Sequence, residues 1–86
     1  MDIKGLLTDY IKSEFLRRRN TDLREEEDLL AAGIIDSLAI LQLVSFVEER
    51  LGFEVPDEDV VYEHFHSIAA LSDYLHRRQQ AMQNAV

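Results

Sequence analysis

The stretch Gly33-Ile34-Ile35-Asp36-Ser37-Leu38-Ala39-Ile40-Leu41-Gln42-Leu43-Val44-Ser45-Phe46-Val47-Glu48-Glu49-Arg50-Leu51-Gly52 decides the fold. It reads as one complete amphipathic helix with a start and a stop. Asp36 or Ser37 can cap it, because either side-chain oxygen can accept from the free amides of a first turn. Gly52 follows Leu51, where a left-handed residue is wanted to close the helix. At about 100° per residue, Ile40, Leu43, Val44, Val47 and Leu51 share one arc, the expected core face. Ser37 stands about 60° from the centre of that arc, at the exposed helix boundary. Leu41, Ser45 and Glu48 lie on its side, and Leu38 and Glu49 a little further round. Leu38 and Leu41 therefore fall outside the core arc.

Upstream, Ile3, Leu6, Leu7, Tyr10, Ile11 and Phe15 recur mostly at three- and four-residue steps, predicting a helix from about Asp2 to Arg18. Asp2 at its start and Arg17, Arg18 and Arg19 at its end match the helix dipole. Asn20 to Ile35 forms a long connection, polar first and apolar later. Leu29, Leu30 and one of Ile34 or Ile35 are expected to hold it on the core. Downstream, Val55-Pro56-Asp57 marks a turn, with Asp57 able to cap a short helix from Glu58 to His64. Ser67 caps a last helix whose Ile68, Leu71 and Leu75 face inward. No period-two run is long enough for a strand. The predicted fold is an all-α small bundle of three main helices plus one short helix. Apolar periodicity is lost from Gln79 to Val86, so the domain is expected over 1–78 with a frayed tail over 79–86.

The chain has 86 residues, no cysteine, and a formal net charge of −8. That length supports one small domain. Absence of Cys excludes disulfides, thiolate metal sites and thiol nucleophiles among its own side chains. The acidity argues against nucleic acid and against an anionic membrane surface. It is concentrated: residues 20–63 hold 13 acidic groups against Arg24 and Arg50 alone. An electropositive partner would be steered there. No apolar run approaches the roughly 18–20 residues of a membrane span, and no signal-peptide pattern is present. A cytoplasmic location is the resulting expectation.

Few constellations carry chemistry. His64 and His66 are two apart and share no helix face, so no metal site is expected there. The run Glu25-Glu26-Glu27-Asp28 lacks the spacing and turn glycine of an EF-hand loop. There is no glycine-rich phosphate loop and no nucleophile beside a local base, so no enzyme is expected. What remains is an exposed hydroxyl, Ser37, at a helix N-terminus beside apolar residues without a core partner. Free amides and the helix dipole would favour a phosphate on that hydroxyl. The plain alternative is an acidic helical interaction module in which Ser37 is only a helix cap.

The residues from Gly33 to Leu38, continued by Ala39 to Val44 and by Glu48-Glu49-Arg50-Leu51-Gly52, closely resemble the acyl carrier protein family. Val55-Pro56-Asp57-Glu58-Asp59 and Glu63-His64-Phe65-His66-Ser67-Ile68 look like that family's third-helix region. The resemblance runs from the first amphipathic helix to Leu75. It implies that a phosphopantetheinyl transferase attaches 4′-phosphopantetheine from coenzyme A to Ser37 through a phosphodiester. The arm's thiol would carry an acyl, aminoacyl or peptidyl group as a thioester, so a cysteine-free protein could serve thiol chemistry. Asp36 would present Ser37 to the transferase. Leu38 and Leu41 would be apolar docking contacts, and Glu48 and Glu49 would meet basic groups on partners. The core arc, with Ile68 and Leu71, either lines a slot for an acyl chain or is simply packed.

The partners implied are the transferase, an acyl- or aminoacyl-activating ligase and a downstream synthase or transferase, around a monomeric carrier. One departure bears on pathway: carriers of fatty acid synthesis resemble this chain but have a more acidic second helix near the serine. Here Ala39 and Gln42 stand in that region, and no charge occurs between Ser37 and Val47. A specialised pathway is therefore expected, whether polyketide, nonribosomal peptide or aminoacyl transfer. Phe46 is expected either in a partner's footprint or against the last helix.

Overall fold

The fold follows from where each helix can begin. In the computed structural model, which describes residues 2–16 and 22–84, α1 spans Ile3–Phe15, α2 Ser37–Leu51, α3 Tyr62–Phe65 and α4 Ile68–Asn84. A single 3₁₀ turn, Asp57–Asp59, precedes α3. The described residues contain no strand, in accord with the all-α bundle. Asp2 opens α1 by accepting from the Gly5 amide at 3.0 Å. The Arg17–Arg19 end expected for this helix lies outside the described residues. Ser67 opens α4, its hydroxyl accepting from the Ala70 amide at 3.0 Å. That last helix continues to Asn84, past the boundary at residue 78 that loss of apolar periodicity suggested. Its residues 81–83 are exposed, so backbone hydrogen bonding rather than burial carries the final turn.

The core is one cluster. Ile3, Leu7 and Ile11 of α1 meet Ile68, Leu71, Tyr74 and Leu75 of α4, and Ala39, Leu43 and Val47 of α2 complete it. The buried stripe of α2 is centred about 50° from the expected arc, turned towards Ala39 and away from Ile40, Val44 and Leu51, which are only half-buried. The aromatic contacts give the reason. Tyr10 of α1 stacks on Phe46, with centroids 3.9 Å apart and planes 17° apart. Phe15 meets Tyr10 edge-on at 5.9 Å. Phe46 thus packs on the first helix, not the last. The Arg50 guanidinium sits 5.6 Å from the Phe46 centroid. Burial, and then the nearby Glu14 carboxylate, raise the Tyr10 pKa.

The two-turn helix expected over Glu58–His64 is instead broken in two. Pro56, not Asp57, occupies the cap position of the 3₁₀ turn, and no side chain caps it. Val60 and Val61 then leave helical geometry before α3 begins. Tyr74, anchored in the core, donates to Asp59 at 2.5 Å and so fixes this break in place. Burial, and then this hydrogen bond, push the Tyr74 hydroxyl well above its usual pKa.

The long connection before α2 is held by its own polar groups. Leu29 is fully buried, and its amide donates to the His66 carbonyl at 2.7 Å. The Ala69 amide donates to the Glu25 carbonyl at 2.8 Å, which satisfies a first-turn donor of α4. Asp28 accepts from the Leu30 and Ala31 amides at 3.1 and 2.9 Å and from the Tyr62 hydroxyl. The Ala31 amide, followed by the Tyr62 hydroxyl, holds the Asp28 carboxyl below the usual carboxylate range.

A carboxylate with a depressed folded-state pKa contributes stability above its unfolded pKa of about 3.9 and loses it as pH falls through the folded value. Asp28→Asn is therefore expected to melt below wild type at pH 6 and to lose less on acidification, so that the two proteins converge near pH 3. Parallel melting curves across that range would refute this role.

Candidate functional site

Two buried side chains bracket the exposed serine. Ile35 is 3% exposed and Ala39 is 5% exposed, so the backbone is fastened just before and just after residues 36–38. Those three residues are left in solvent, and Leu38 reaches 64% exposure. Gly33 makes the turn that delivers this segment, at φ 73°, a conformation that costs glycine little. Asp36 is extended at φ −125°, ψ −171°, and its carboxylate accepts from the Ala39 amide at 2.8 Å. Its carbonyl accepts from the Ile40 amide at 3.0 Å.

The cap is therefore Asp36, and Ser37 is the first helical residue. Its hydroxyl makes no hydrogen bond among the described residues. With the core stripe turned towards Ala39, Ser37 stands about 120° from its centre. The Ala39 and Ile40 amides are used, whereas those of Ser37 and Leu38 have no partner among the described residues. An exposed hydroxyl thus stands beside free amides at the positive end of a 15-residue helix, where negative charge is favoured.

The other candidates separate by burial. Leu41 is 62% exposed and so lies outside the core, as its position on the helix predicted. Glu49 is exposed. Glu48 is half-buried and accepts from the Val55 amide at 2.8 Å, across the Gly52 turn. Gly52 itself is left-handed at φ 78° and closes α2 onto the Glu48 carbonyl. Glu48 thus has a task inside the fold that its position on a helix wheel did not disclose. Sequence reasoning also missed Val61 and Tyr62, two exposed large hydrophobic residues at α3, because it placed them within a longer helix. Leu43, Val47, Ile68 and Leu71 are closed off at 1% exposure or less. Hollows of about 220 and 350 Å³ lie instead on the surface where α1 meets α2. No group of three or more His, Asp or Glu residues among those described is placed to hold a metal ion. No described helix is long and apolar enough to cross a membrane.

Comparison with known proteins bears on the same region. A family model described as a phosphopantetheine attachment site matches residues 7–75. No curated protein matches the chain. Among solved structures, a chain in one described as the crystal structure of an FAD-dependent dehydrogenase is similar, with a TM-score of 0.73 and 28% identity. The match covers 80% of this chain and 97% of that one.

Burial sets the expected cost of substitution on α2. Leu41→Ala should change stability by no more than about 0.5 kcal/mol, whereas Leu43→Ala should cost about 2–5 kcal/mol. Removing the cap with Asp36→Ala should cost about 1 kcal/mol. Urea denaturation of the three variants measures this order, and a Leu41→Ala loss as large as that of Leu43→Ala would place Leu41 in the core.

Proposed function

This chain belongs to the phosphopantetheine attachment family, and on that premise we propose that Ser37 bears the covalent 4′-phosphopantetheine and that the protein carries aminoacyl or acyl intermediates in a specialised biosynthetic pathway. Domains of this family carry their cargo and do not catalyse its chemistry. The prosthetic group supplies the thiol on which cargo is held as a thioester. The observation that carries the assignment is the division of labour at the start of α2. Asp36 does the capping, so the Ser37 hydroxyl is left exposed and unengaged. A serine serving only as a cap would have its oxygen on a first-turn amide.

Asp36 fixes the direction in which Ser37 is presented to a phosphopantetheinyl transferase. Leu38 and Leu41 offer exposed apolar contacts, to the transferase first and then to the activating ligase and the enzymes that use the cargo. Glu49 and the acidic segments 22–28 and 54–63 surround them with negative charge. Such charges raise association rates with basic partners more than final affinity.

The specialised pathway is supported by the uncharged run from Leu38 to Val47, which gives a partner apolar rather than ionic contacts next to the serine. A flavin dehydrogenase acting on the carried group is one downstream partner consistent with the similar solved structure. The matched chain there is itself of carrier size, since 80% of this small chain covers almost all of it.

Incubation with coenzyme A, Mg²⁺ and a broad-specificity transferase should add one phosphopantetheine to the intact mass. Ser37→Ala should abolish the addition, and Leu41→Ala should slow it without lowering the melting temperature. A folded wild-type protein that gains no mass would overturn the assignment.

A further inference from the structure

Every backbone amide from Leu29 to Ile35 has an acceptor. Leu29 donates to the His66 carbonyl, Leu30 and Ala31 to one oxygen of the Asp28 carboxylate, and Ala32 to the Asp28 carbonyl. Gly33 donates to the Leu30 carbonyl, and Ile34 and Ile35 both donate to the Leu29 carbonyl. Residues 28–35 are therefore one hydrogen-bonded turn, and it ends a single residue before the Asp36 cap. Residues 31–33 are exposed, so burial does not hold the outer part of this turn. Its shape depends on how the Asp28 carboxylate is oriented.

Tyr62 of α3 sets that orientation. Its hydroxyl donates to the second Asp28 oxygen, the one that the Leu30 and Ala31 amides do not use. The carboxylate in turn raises the Tyr62 pKa, so the hydroxyl keeps its proton at neutral pH. The Tyr62 ring stacks on His66, with centroids 4.9 Å apart and planes 18° apart. The contacts close a circuit: Asp28 to Tyr62, Tyr62 to His66, the His66 carbonyl to the Leu29 amide, and Leu29 along the chain to Asp28. Yet Tyr62 is 55% exposed, so it is not there to fill the core.

We propose that Tyr62 is a positioning residue for modification of Ser37: through Asp28 it holds the 28–35 turn in the arrangement that delivers Asp36 and Ser37 to the modifying enzyme. The inference rests on Ser37 being the attachment site. In that transfer the Ser37 oxygen bonds to the arm's phosphorus and loses its proton, while adenosine 3′,5′-bisphosphate leaves coenzyme A. Such a step is sensitive to small displacements, because the reacting atoms must be held about 3–3.5 Å apart and in line. The turn is the last hydrogen-bonded piece before the nucleophile, and Tyr62 fastens it to α3. An exposed tyrosine beside Val61 could also serve as an apolar docking contact. The two roles use different parts of one side chain: docking needs the ring, and positioning needs the hydroxyl.

Single-turnover phosphopantetheinylation with coenzyme A, Mg²⁺ and saturating broad-specificity transferase, read by intact mass, separates them. Saturation hides a docking defect and leaves a positioning defect visible. Tyr62→Phe keeps the ring and removes the hydroxyl. It should slow mass addition by about tenfold, the scale of one lost hydrogen bond to a charged group, with the far-UV circular dichroism unchanged. Its amide chemical shifts should move at Gly33, Asp36 and Ser37 as well as in α3. Tyr62→Ala should be no slower than Tyr62→Phe. In an Asp28→Ala background Tyr62→Phe should cost nothing further, because the acceptor is gone. Loading of Tyr62→Phe at the wild-type rate overturns the proposal and leaves the carrier assignment standing; if Tyr62→Ala alone is slow, Tyr62 is a docking contact. An undiminished effect of Tyr62→Phe in the Asp28→Ala background also overturns it. Wild-type protein that gains no mass overturns the Ser37 assignment and this proposal together.

Discussion

The hydrogen bond from the Ala39 amide to the Asp36 carboxylate, at 2.8 Å, is the constraint on which the site depends. It lies between two buried side chains, Ile35 and Ala39, that fasten the chain to the core. Each element here has a separate physical cause. Burial fixes the depth of the backbone, the cap fixes where the helix starts, and the four-residue interval leaves only residues 36–38 free to project. If Ser37 did the capping, its oxygen would be turned inward. Because Asp36 does it, the hydroxyl is presented at the helix end where amides and dipole favour a phosphate.

That start is in turn held by the connection before it. Residues 22–35 carry little regular structure, yet their backbone reaches both later helices: Leu29 to the His66 carbonyl and Glu25 to the Ala69 amide. Asp28 adds the Tyr62 hydroxyl. The connection is therefore a strap across the α3–α4 corner, and Leu29 is its buried fastening. A loop with free ends would leave Gly33 and Asp36 unplaced. Tied at both corners, it delivers them to a fixed position.

The four-element order, the start of α1 at Asp2, the cap at Ser67, the Gly52 stop and the exposure of Leu38 and Leu41 were legible in the sequence, because each depends on local rules. Helix periodicity reports which residues are apolar together, and capping reports on a few neighbouring atoms. What was not legible depends on a second segment. The stripe of α2 turned by about 50° because Tyr10 stacks on Phe46, and a helical wheel of α2 contains no term for α1. Ala39 was overlooked as core for the same reason. Glu48 looked like a surface charge because its partner, the Val55 amide, lies beyond the helix end. The short helix broke in two because Tyr74, 15 residues away from Asp59, holds the break. In the site, the position of Ser37 was readable and its freedom was not, since only the structure assigns the cap to Asp36 and not to its neighbour.

With these assignments, α2 divides into three strips. Ala39, Leu43 and Val47 hold the fold. Ser37, Leu38 and Leu41 face solvent and offer the hydroxyl with apolar contacts. Gln42, Phe46 and Glu49 face the seam with α1. The absence of charge from Leu38 to Val47 then has a physical reading in addition to a pathway one. A charge close to the serine would bear on both outer strips at once, since they lie on adjacent sides of one narrow helix. Keeping that run neutral lets the acidic segments 22–28 and 54–63 steer partners from a distance. The only carboxylate that α2 contributes to the seam, Glu49, then stands about 18 Å from the serine, at the far end of the helix. The face that offers the hydroxyl and the face that meets α1 are thus kept apart along one 15-residue helix, so a substitution on one need not disturb the other.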